Sequence, residues 1–271
     1  MNYTGGKFKL LPQIIPLFPQ NISTFVDMFG GGFNVGINVN ANKIIYNDLS
    51  IQVVQMLEYF KKNNLEEMLK QIENWINEYE LSKTNQEGFS KFRTFYNSNK
   101  NPLVLYTLIC YAFNNQIRFN KSGDYNMPFG KDRSSFNDTL KNKFIDFVKA
   151  LKSKECQFIN SDFMNTLEDI TFDDNTFIYC DPPYFNSTAT YNEQGGWTEK
   201  NELELRELLV QLHKKQIKFA LSNNLTTNTS LEQWAIDNGF KINYLNCTYG
   251  NCNYHKLDKS DKDIEVLITN Y

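Results

Sequence analysis

Residues 24–36 have the sequence TFVDMFGGGFNVG, an apolar run that is followed at once by three glycines. A short apolar run bounded by glycines predicts a buried strand, and glycines let the backbone approach a ligand closely. A strand, a glycine turn and a helix in this order predict the first βα unit of a nucleotide-binding α/β fold. The dinucleotide fingerprint requires glycine where this chain has Val35, so a pyrophosphate ligand is disfavoured. The carboxylate of Asp27 suits a cationic ligand better.

A second apolar run, residues 43–47, ends at Asp48. An acidic residue at the end of the second strand of such a fold typically accepts hydrogen bonds from ribose hydroxyls. The alternative role is that of an N-cap for the helical segment that starts near Ser50. The glycine turn that precedes this strand favours the ribose role.

A third apolar run, residues 177–180, is followed directly by Asp181, Pro182, Pro183 and Tyr184. Proline cannot donate to a sheet ladder, so the strand ends there and the chain continues extended. The result is a stiff platform that carries a carboxylate, a carbonyl and an aromatic ring at the carboxyl end of a strand, where α/β sheets bind ligands. We interpret this platform as a site for an exocyclic amine on a flat ring.

The remaining periodicity predicts an α/β fold with a Rossmann-like, mostly parallel sheet and flanking helices. Helical spacing without a strand runs from about residue 50 to 115. We therefore predict a catalytic domain formed by residues 1–50 and 155–271. Residues 51–154 would be an inserted, mainly helical target-recognition subdomain that contains a β-hairpin.

The predicted insertion differs in charge from the rest of the chain. Residues 83–154 hold 13 Lys and Arg against 5 Asp and Glu, although the whole chain has a net charge of −3. A basic segment in an acidic chain is typical of a phosphate-binding lobe. A solvated lysine-rich helix face is the alternative.

Residues 117–131 alternate around a Lys-Ser-Gly-Asp turn and predict a β-hairpin. Arginine and asparagine can bond bidentately to guanine and adenine edges, and a two-stranded ribbon fits the major groove of DNA. A surface hairpin with a mixed-charge exterior is the alternative. The candidate DNA-binding residues here are Arg118, Asn120, Lys121, Asn126 and Lys131.

Composition limits the other function classes. No apolar run approaches a membrane span, and the N-terminal residues do not resemble a signal peptide, so no membrane partner is expected. The five cysteines form no CxxC motif and there are two histidines, so no metal site is expected. A reducing cytoplasm fits this cysteine usage.

Taken together, these motifs resemble the Dam-like DNA adenine methyltransferases of the DPPY type. The matching elements extend over nearly the whole chain, and the hairpin departs at Met127, where the family more often has valine. The elements in order are Tyr3–Lys7, Asp27–Gly32, Asn47-Asp48, Arg118–Gly130, Asp162-Phe163, Asp181–Tyr184 and Glu265–Tyr271.

The resemblance implies S-adenosyl-L-methionine as the methyl donor and double-stranded DNA as the substrate. It implies that the cofactor contacts Tyr3, Lys7, Asp27, Phe29, Gly30, Gly31, Gly32, Asp48, Asp162, Phe163 and Asp181. It adds Pro128 to the base-reading residues Arg118 and Asn120. A GATC-like site is compatible with the hairpin. A cognate restriction endonuclease is left open as a genetic rather than a physical partner.

The platform residues suggest a mechanism for the methyl transfer. The adenine amino group is a poor nucleophile because its lone pair is delocalised into the ring. Hydrogen bonds from this group to the Asp181 carboxylate and the Pro182 carbonyl would orient the lone pair toward a methyl donor. The base must leave the duplex to reach such a site, and Tyr184 would stack on it.

Three alternatives remain. An RNA or protein-glutamine N-methyltransferase would share a related platform, but such enzymes commonly begin the motif with asparagine and lack the hairpin. A catalytically inactive DNA-binding regulator would not need an intact platform and an intact glycine turn. A nicotinamide oxidoreductase is disfavoured by the displaced glycine, Gly36.

Overall fold

The computed structural model of the protein describes residues 6–185, 196–246 and 264–271. The chain divides into two compact units. The first is built on Ser50–Asn160, and the second on Lys7–Leu49 and Ser161–Tyr271. The roles that we assign to these two parts of the chain stay predictions.

Seven strands are present in the described residues. They are β1 (Ile22–Asp27), β2 (Ala41–Asn47), β3 (Cys156–Ile159), β4 (Thr176–Cys180), β5 (Lys218–Asn224), β6 (Lys241–Leu245) and β7 (Glu265–Thr269). The strand β3 lies in the first unit. The six strands of the second unit follow the spatial order β2-β1-β4-β5-β7-β6.

The sheet of the second unit is mostly parallel, as the sequence predicted. β1 pairs in parallel with β2 and β4, and β4 pairs in parallel with β5. β7 runs antiparallel between β5 and β6. The carboxyl ends of β1, β4 and β5 therefore meet at one edge, and β7 begins at that same edge.

Aromatic packing fixes the central strands of this sheet. The rings of Phe18, Phe25, Phe177 and Tyr179 contact one another with centroids 4.8–6.3 Å apart. All five residues of β4 are buried. Burying a large aromatic side chain stabilises a fold by roughly 1.5–3 kcal/mol, so this cluster anchors the strands whose ends carry the polar residues.

The segment after the glycine turn differs from the prediction. We expected an α-helix, but the chain forms only the 3-10 turn Gly36–Asn38 before it enters β2. Gly31 and Phe33 have positive φ values of 46° and 57°, which an α-helix does not allow. The backbone N–H of Gly36 donates to Asp27, so the turn folds back onto β1.

Three α-helices of the second unit are α1 (Leu11–Ile14), α7 (Glu199–Lys214) and α8 (Leu231–Asp237). The helix α7 begins after its N-cap residue Thr198. Thr198 and Asn201 form a reciprocal capping box that satisfies two N–H groups at the helix start.

The first unit is mainly helical and contains α2 (Ile51–Lys62), α3 (Leu65–Glu78), α4 (Gln86–Asn99), α5 (Pro102–Tyr111) and α6 (Asp138–Ser153). Four of these helices begin after an asparagine whose side chain accepts backbone N–H bonds, a favourable N-cap. The nine residues Leu103–Tyr111 of α5 are all buried, so this helix forms the core of the unit. In the residues that the structure describes, no helix has the length and apolar character needed to cross a membrane.

Candidate active site

The predicted platform lies at the carboxyl end of β4. Asp181 follows Cys180, the last residue of the strand, and Pro182 is buried. On the neighbouring strand β1, Asp27 is level with Tyr179 in the parallel register. The parallel pairing therefore brings two acidic residues that are far apart in sequence to one edge of the sheet.

Lys7 forms an ion pair with the platform. Its Nζ lies 2.8 Å from Oδ1 of Asp181 and 4.7 Å from the centre of the Tyr184 ring. The Lys7 side chain is only 2% exposed. Burial raises the pKa of Asp181, and the attraction and hydrogen bond of Lys7 partly oppose that rise. Lys7 therefore orients the Asp181 carboxylate and favours its ionised form.

Glu265 is a functional candidate that sequence reasoning missed. Its Oε2 accepts a hydrogen bond of 2.7 Å from the Tyr184 hydroxyl, and its Oε1 accepts one of 3.3 Å from Asn224. Burial raises the pKa of Glu265, while nearby Lys7 lowers it. The available signal was a charged residue at the start of the apolar run of β7, within the final element of the family resemblance.

Asp27 is the most strongly perturbed carboxyl group of the site. It is 1% exposed and accepts a 3.1 Å hydrogen bond from the Gly36 backbone N–H. The pKa of Asp27 is raised to about 7, mainly by burial; the Gly36 hydrogen bond lowers it, and the charges of Asp181 and Asp48 add to the rise. A buried carboxylate in such surroundings favours a cationic ligand.

The glycine turn connects to Asp48. The Gly31 backbone N–H donates to Oδ2 of Asp48 at 2.8 Å, and the Tyr46 hydroxyl donates to the Gly31 carbonyl at 2.8 Å. A Cβ atom at Gly30 would lie 2.2 Å from the Tyr46 ring, so glycine is required for this close approach. Gly32 is buried in the same turn.

An aromatic cluster lies beside the glycine turn. The rings of Phe29, Phe163 and Trp197 lie 5.4–5.6 Å apart. Trp197, which the sequence analysis did not assign to the site, donates its indole N–H to the buried carboxylate of Glu202. Asp162 is exposed and its Oδ1 accepts the backbone N–H of Met164.

The structure thus brings together, within the second unit, all but one of the cofactor and catalytic residues that the sequence predicted. Tyr3 lies outside the described residues. Among the described side chains, no group of three or more His, Cys, Asp or Glu is arranged to hold a metal ion.

The predicted hairpin lies in the first unit and is less regular than expected. It has two isolated antiparallel bridges, Ala112 to Phe129 and Phe119 to Tyr125, instead of a continuous two-stranded ribbon. The Asn120 side chain accepts the backbone N–H groups of Ser122 and Asp124. This local turn competes with the ladder hydrogen bonds of a regular hairpin.

The helix α4 fixes the return segment of the hairpin. The Asn97 amide both donates to the Tyr125 carbonyl and accepts the Tyr125 backbone N–H. Arg93 donates to the Met127 carbonyl, and Lys100 pairs with Asp124 at 2.6 Å. This contact set explains how a segment with few ladder bonds keeps its shape.

The candidate DNA-binding residues divide into two groups. Arg118 donates through Nε and Nη2 to the side chain and carbonyl of Asn126, so these two residues stabilise the hairpin itself. The other four are exposed: Asn120, Lys121, Pro128 and Lys131.

Comparison with known proteins agrees with the resemblance. Residues 3–256 match a family model described as D12 class N6 adenine-specific DNA methyltransferase. The whole chain is 48% identical to the Type II methyltransferase M.FokI of Planomicrobium okeanokoites and 42% identical to the modification methylase StsI of Streptococcus sanguinis. It covers 42% of the length of each of these two relatives.

A third relative matches over most of its own length. The DNA adenine methylase of Escherichia coli (strain K12) is 25% identical over 84% of this chain and 81% of that protein. The family model covers nearly all of the present sequence and includes the glycine turn, the hairpin and the platform at Asp181. The chain therefore belongs to the D12 class N6 adenine-specific DNA methyltransferase family.

Proposed function

We propose that this chain transfers a methyl group from S-adenosyl-L-methionine to the N6 amino group of an adenine that is turned out of double-stranded DNA. The observation that carries the proposal is the Asp181–Tyr184 platform at the carboxyl end of β4, beside the buried carboxylate of Asp27 and the glycine turn.

The charge balance of the site supports this cofactor. Asp27, Asp181 and Glu265 are acidic side chains at one edge of the sheet, and Lys7 is the cation that pairs with Asp181 there. Burial is the main cause of the raised pKa of Asp27, about 7, so a cationic group bound beside it would stabilise the ionised carboxylate. S-Adenosylmethionine supplies, when bound, an electrophilic methyl group on a sulfonium centre together with an ammonium group.

Different residues would bind different parts of the cofactor. Asp27 would accept the positively charged end of the cofactor, and the Gly30–Gly32 backbone would lie against it. Asp48, which already accepts a backbone N–H from Gly31, would take the ribose hydroxyls. The rings of Phe29 and Phe163 would contact the cofactor's flat base.

The platform residues would orient the adenine. Lys7 engages Oδ1 of Asp181, so the adenine amino group would donate to the other carboxylate oxygen and to the Pro182 carbonyl. The amino nitrogen would then present its lone pair to the methyl group that the bound cofactor would supply, with the cofactor's thioether as the leaving group. Asp181 would accept, along its hydrogen bond, the proton that the nitrogen loses.

The basic segment and hairpin of the first unit would contact the DNA. We propose that Arg118, Asn120 and Pro128 read the bases of a GATC-like site, and that Lys121, Asn126 and Lys131 contact the same duplex. The relatives named as type II and modification methylases support a genetic association with a restriction endonuclease. A cytoplasmic location is part of the same proposal, because the substrate is duplex DNA.

A radiolabelled methyl-transfer assay tests the proposal. Purified chain, tritiated S-adenosylmethionine and duplex DNA should yield labelled N6-methyladenine, and sequencing that detects modified bases should report the site. Matched RNA and glutamine-containing peptide should remain unlabelled. Label in RNA or peptide but not in DNA would overturn the proposal and favour the alternative substrates.

Recognition can be separated from general DNA binding with two variants. Arg118→Ala should lower discrimination between the cognate site and single-base variants by about 1–3 kcal/mol, because Arg118 both shapes the hairpin and offers donors to a base edge. Lys121→Ala should weaken binding equally at all sites. It should also reduce the slope of log affinity against log salt concentration by about one, as expected for the loss of a phosphate contact. Methylation profiles on a randomised site library, at two salt concentrations, measure both effects. An unchanged methylation profile for Arg118→Ala would show that this residue does not contribute to base recognition.

A further inference from the structure

Glu265 is a buried charge that the proposed chemistry does not use. It begins β7, all five residues of which are buried, and it is 2% exposed. Burying a carboxylate costs free energy unless the group is paired and hydrogen-bonded. The strand itself does not need this charge, because the ladder already joins β7 to β5 and β6.

The two oxygens of Glu265 have defined partners. Oε2 accepts the Tyr184 hydroxyl at 2.7 Å, a short distance typical of a hydrogen bond to a charged acceptor. Oε1 accepts the side-chain amide of Asn224. The amide orientation of Asn224 is fixed because its own oxygen accepts the backbone N–H groups of Thr226 and Thr227.

The hydrogen bond from Tyr184 to Glu265 joins Glu265 to the platform. Lys7 pairs with Asp181 and lies over the face of the Tyr184 ring, while Glu265 holds the hydroxyl at the far end of that ring. The ring is therefore fixed at its face by a cation and at its edge by an anion. Burial raises the pKa of Glu265, and Lys7 and the Tyr184 hydrogen bond oppose that rise.

We propose that Glu265 is a positioning residue for methyl transfer, which fixes the Tyr184 ring in the orientation that stacks on the turned-out adenine. This inference rests on the proposed function. Without the Glu265 acceptor, the Tyr184 ring would rotate. The Lys7 ammonium would then lose its contact with the face of that ring. The adenine would then be held less often with its amino group at Asp181.

A double-mutant cycle between Glu265 and Tyr184 tests this role. Tyr184→Phe removes the donor, Glu265→Gln keeps an uncharged acceptor, and Glu265→Ala removes the acceptor. Glu265→Ala and Tyr184→Phe should each lower kcat by about tenfold to a hundredfold, which is the effect of losing one hydrogen bond to a charged group. The double variant Glu265→Ala/Tyr184→Phe should be no slower than the slower single variant. Glu265→Gln should recover part of the loss.

A fluorescent base provides a readout that a purely structural role would not change. With 2-aminopurine at the target position, wild type should increase fluorescence as the base leaves the stack, and the increase should be smaller for Glu265→Ala and Tyr184→Phe. The KM for the cofactor should remain within about twofold of wild type, since neither Tyr184 nor Glu265 is proposed to contact the cofactor. Because Tyr184→Phe leaves β7 unchanged, it tests the same contact if Glu265→Ala fails to fold.

The chain contains a matched control for this contact. Tyr244 donates to Glu232 at 2.6 Å, with Tyr244 exposed at the protein surface. Tyr244→Phe and Glu232→Gln should leave kcat and the fluorescence change unaltered. Multiplicative rate losses in the Glu265/Tyr184 cycle, or an unchanged fluorescence signal, would overturn the positioning role. A wild-type chain that methylates no DNA would instead overturn the proposed function.

Discussion

Replacing Asp181 by alanine is expected to abolish methyl transfer, with a loss of at least about a hundredfold to a thousandfold in kcat. In the proposed mechanism, the carboxylate would orient the amino group and meet the positive charge that develops there. Removing one such preorganised group in other enzymes costs about that much. Cofactor affinity should fall much less, because the proposed binding site gives the cofactor further partners at Asp27, Asp48 and the glycine turn.

The stability of the variant must be separated from its activity. Asp181→Ala leaves the buried ammonium of Lys7 without its 2.8 Å partner, and breaking a buried pair from one side costs about 3–5 kcal/mol. The double variant Lys7→Met/Asp181→Ala removes both charges and should regain most of the lost Tm while remaining inactive. Thermal denaturation, calorimetric cofactor binding and tritium transfer on the same preparations distinguish the two effects. Near-normal transfer by a folded Asp181→Ala variant would refute the proposed role.

Local sequence was sufficient for most elements of the fold. The apolar runs that became β1, β2 and β4 carry their own boundaries, since a glycine, a polar residue or a proline ends each of them. The start of α7 is also determined locally, because its capping box joins residues only three positions apart. The mostly parallel order followed from strands alternating with helices.

Long-range contacts could not be predicted in this way. Tyr184 and Glu265 are 81 residues apart, and no periodicity connects a platform tyrosine with a strand-initial glutamate. The pairing of Lys7 with Asp181 likewise depends on the strand order, which brings distant segments to one edge. The prediction of an α-helix after the glycine turn was wrong for a different reason. The turn's positive φ values and the Gly36–Asp27 hydrogen bond belong to an irregular turn, whereas the composition suggested a helix start.

Asp27→Asn is expected to have opposite effects on cofactor binding and on the stability of the cofactor-free protein. Asparagine has nearly the same shape and can still accept the Gly36 backbone N–H, but it carries no charge. The affinity for S-adenosylmethionine should fall by about tenfold to a hundredfold, since a hydrogen bond to a charged group is lost. The cofactor-free variant should be more stable than wild type at pH 8, because a poorly compensated buried charge has been removed.

The pH dependence of this stability difference has a definite sign. Burial raises the pKa of Asp27 from 3.8 to about 7, so between these two values the folded protein retains a proton that the unfolded chain has released. The contribution of Asp27 to wild-type stability therefore decreases as pH rises from about 4 to 7 and levels off above 7. A shift of this size corresponds to roughly 4 kcal/mol. The variant lacks this decrease, so its advantage in Tm should grow from pH 5 to pH 8.

Cofactor binding should follow the same ionisation in the opposite direction. A cationic ligand requires the ionised carboxylate, so wild-type affinity should increase as pH rises through about 7, with up to one proton released on binding at pH 6. Calorimetry in two buffers of different ionisation enthalpy measures that proton, and the Asp27→Asn variant should release none at this position.

Asp173 offers a control of opposite sign for the stability effect. The Ser23 and Thr176 hydroxyls lower the pKa of this exposed carboxyl group, so its contribution to stability is present above pH 4 and is lost as pH falls through the folded-state pKa. Asp173→Asn should therefore lower Tm at pH 7 and leave cofactor affinity unchanged. If Asp27→Asn behaved like Asp173→Asn, Asp27 would be a structural carboxylate. A Tm advantage for Asp27→Asn that grows with pH, together with the lost proton release, identifies it as the group that receives the positive charge of the cofactor.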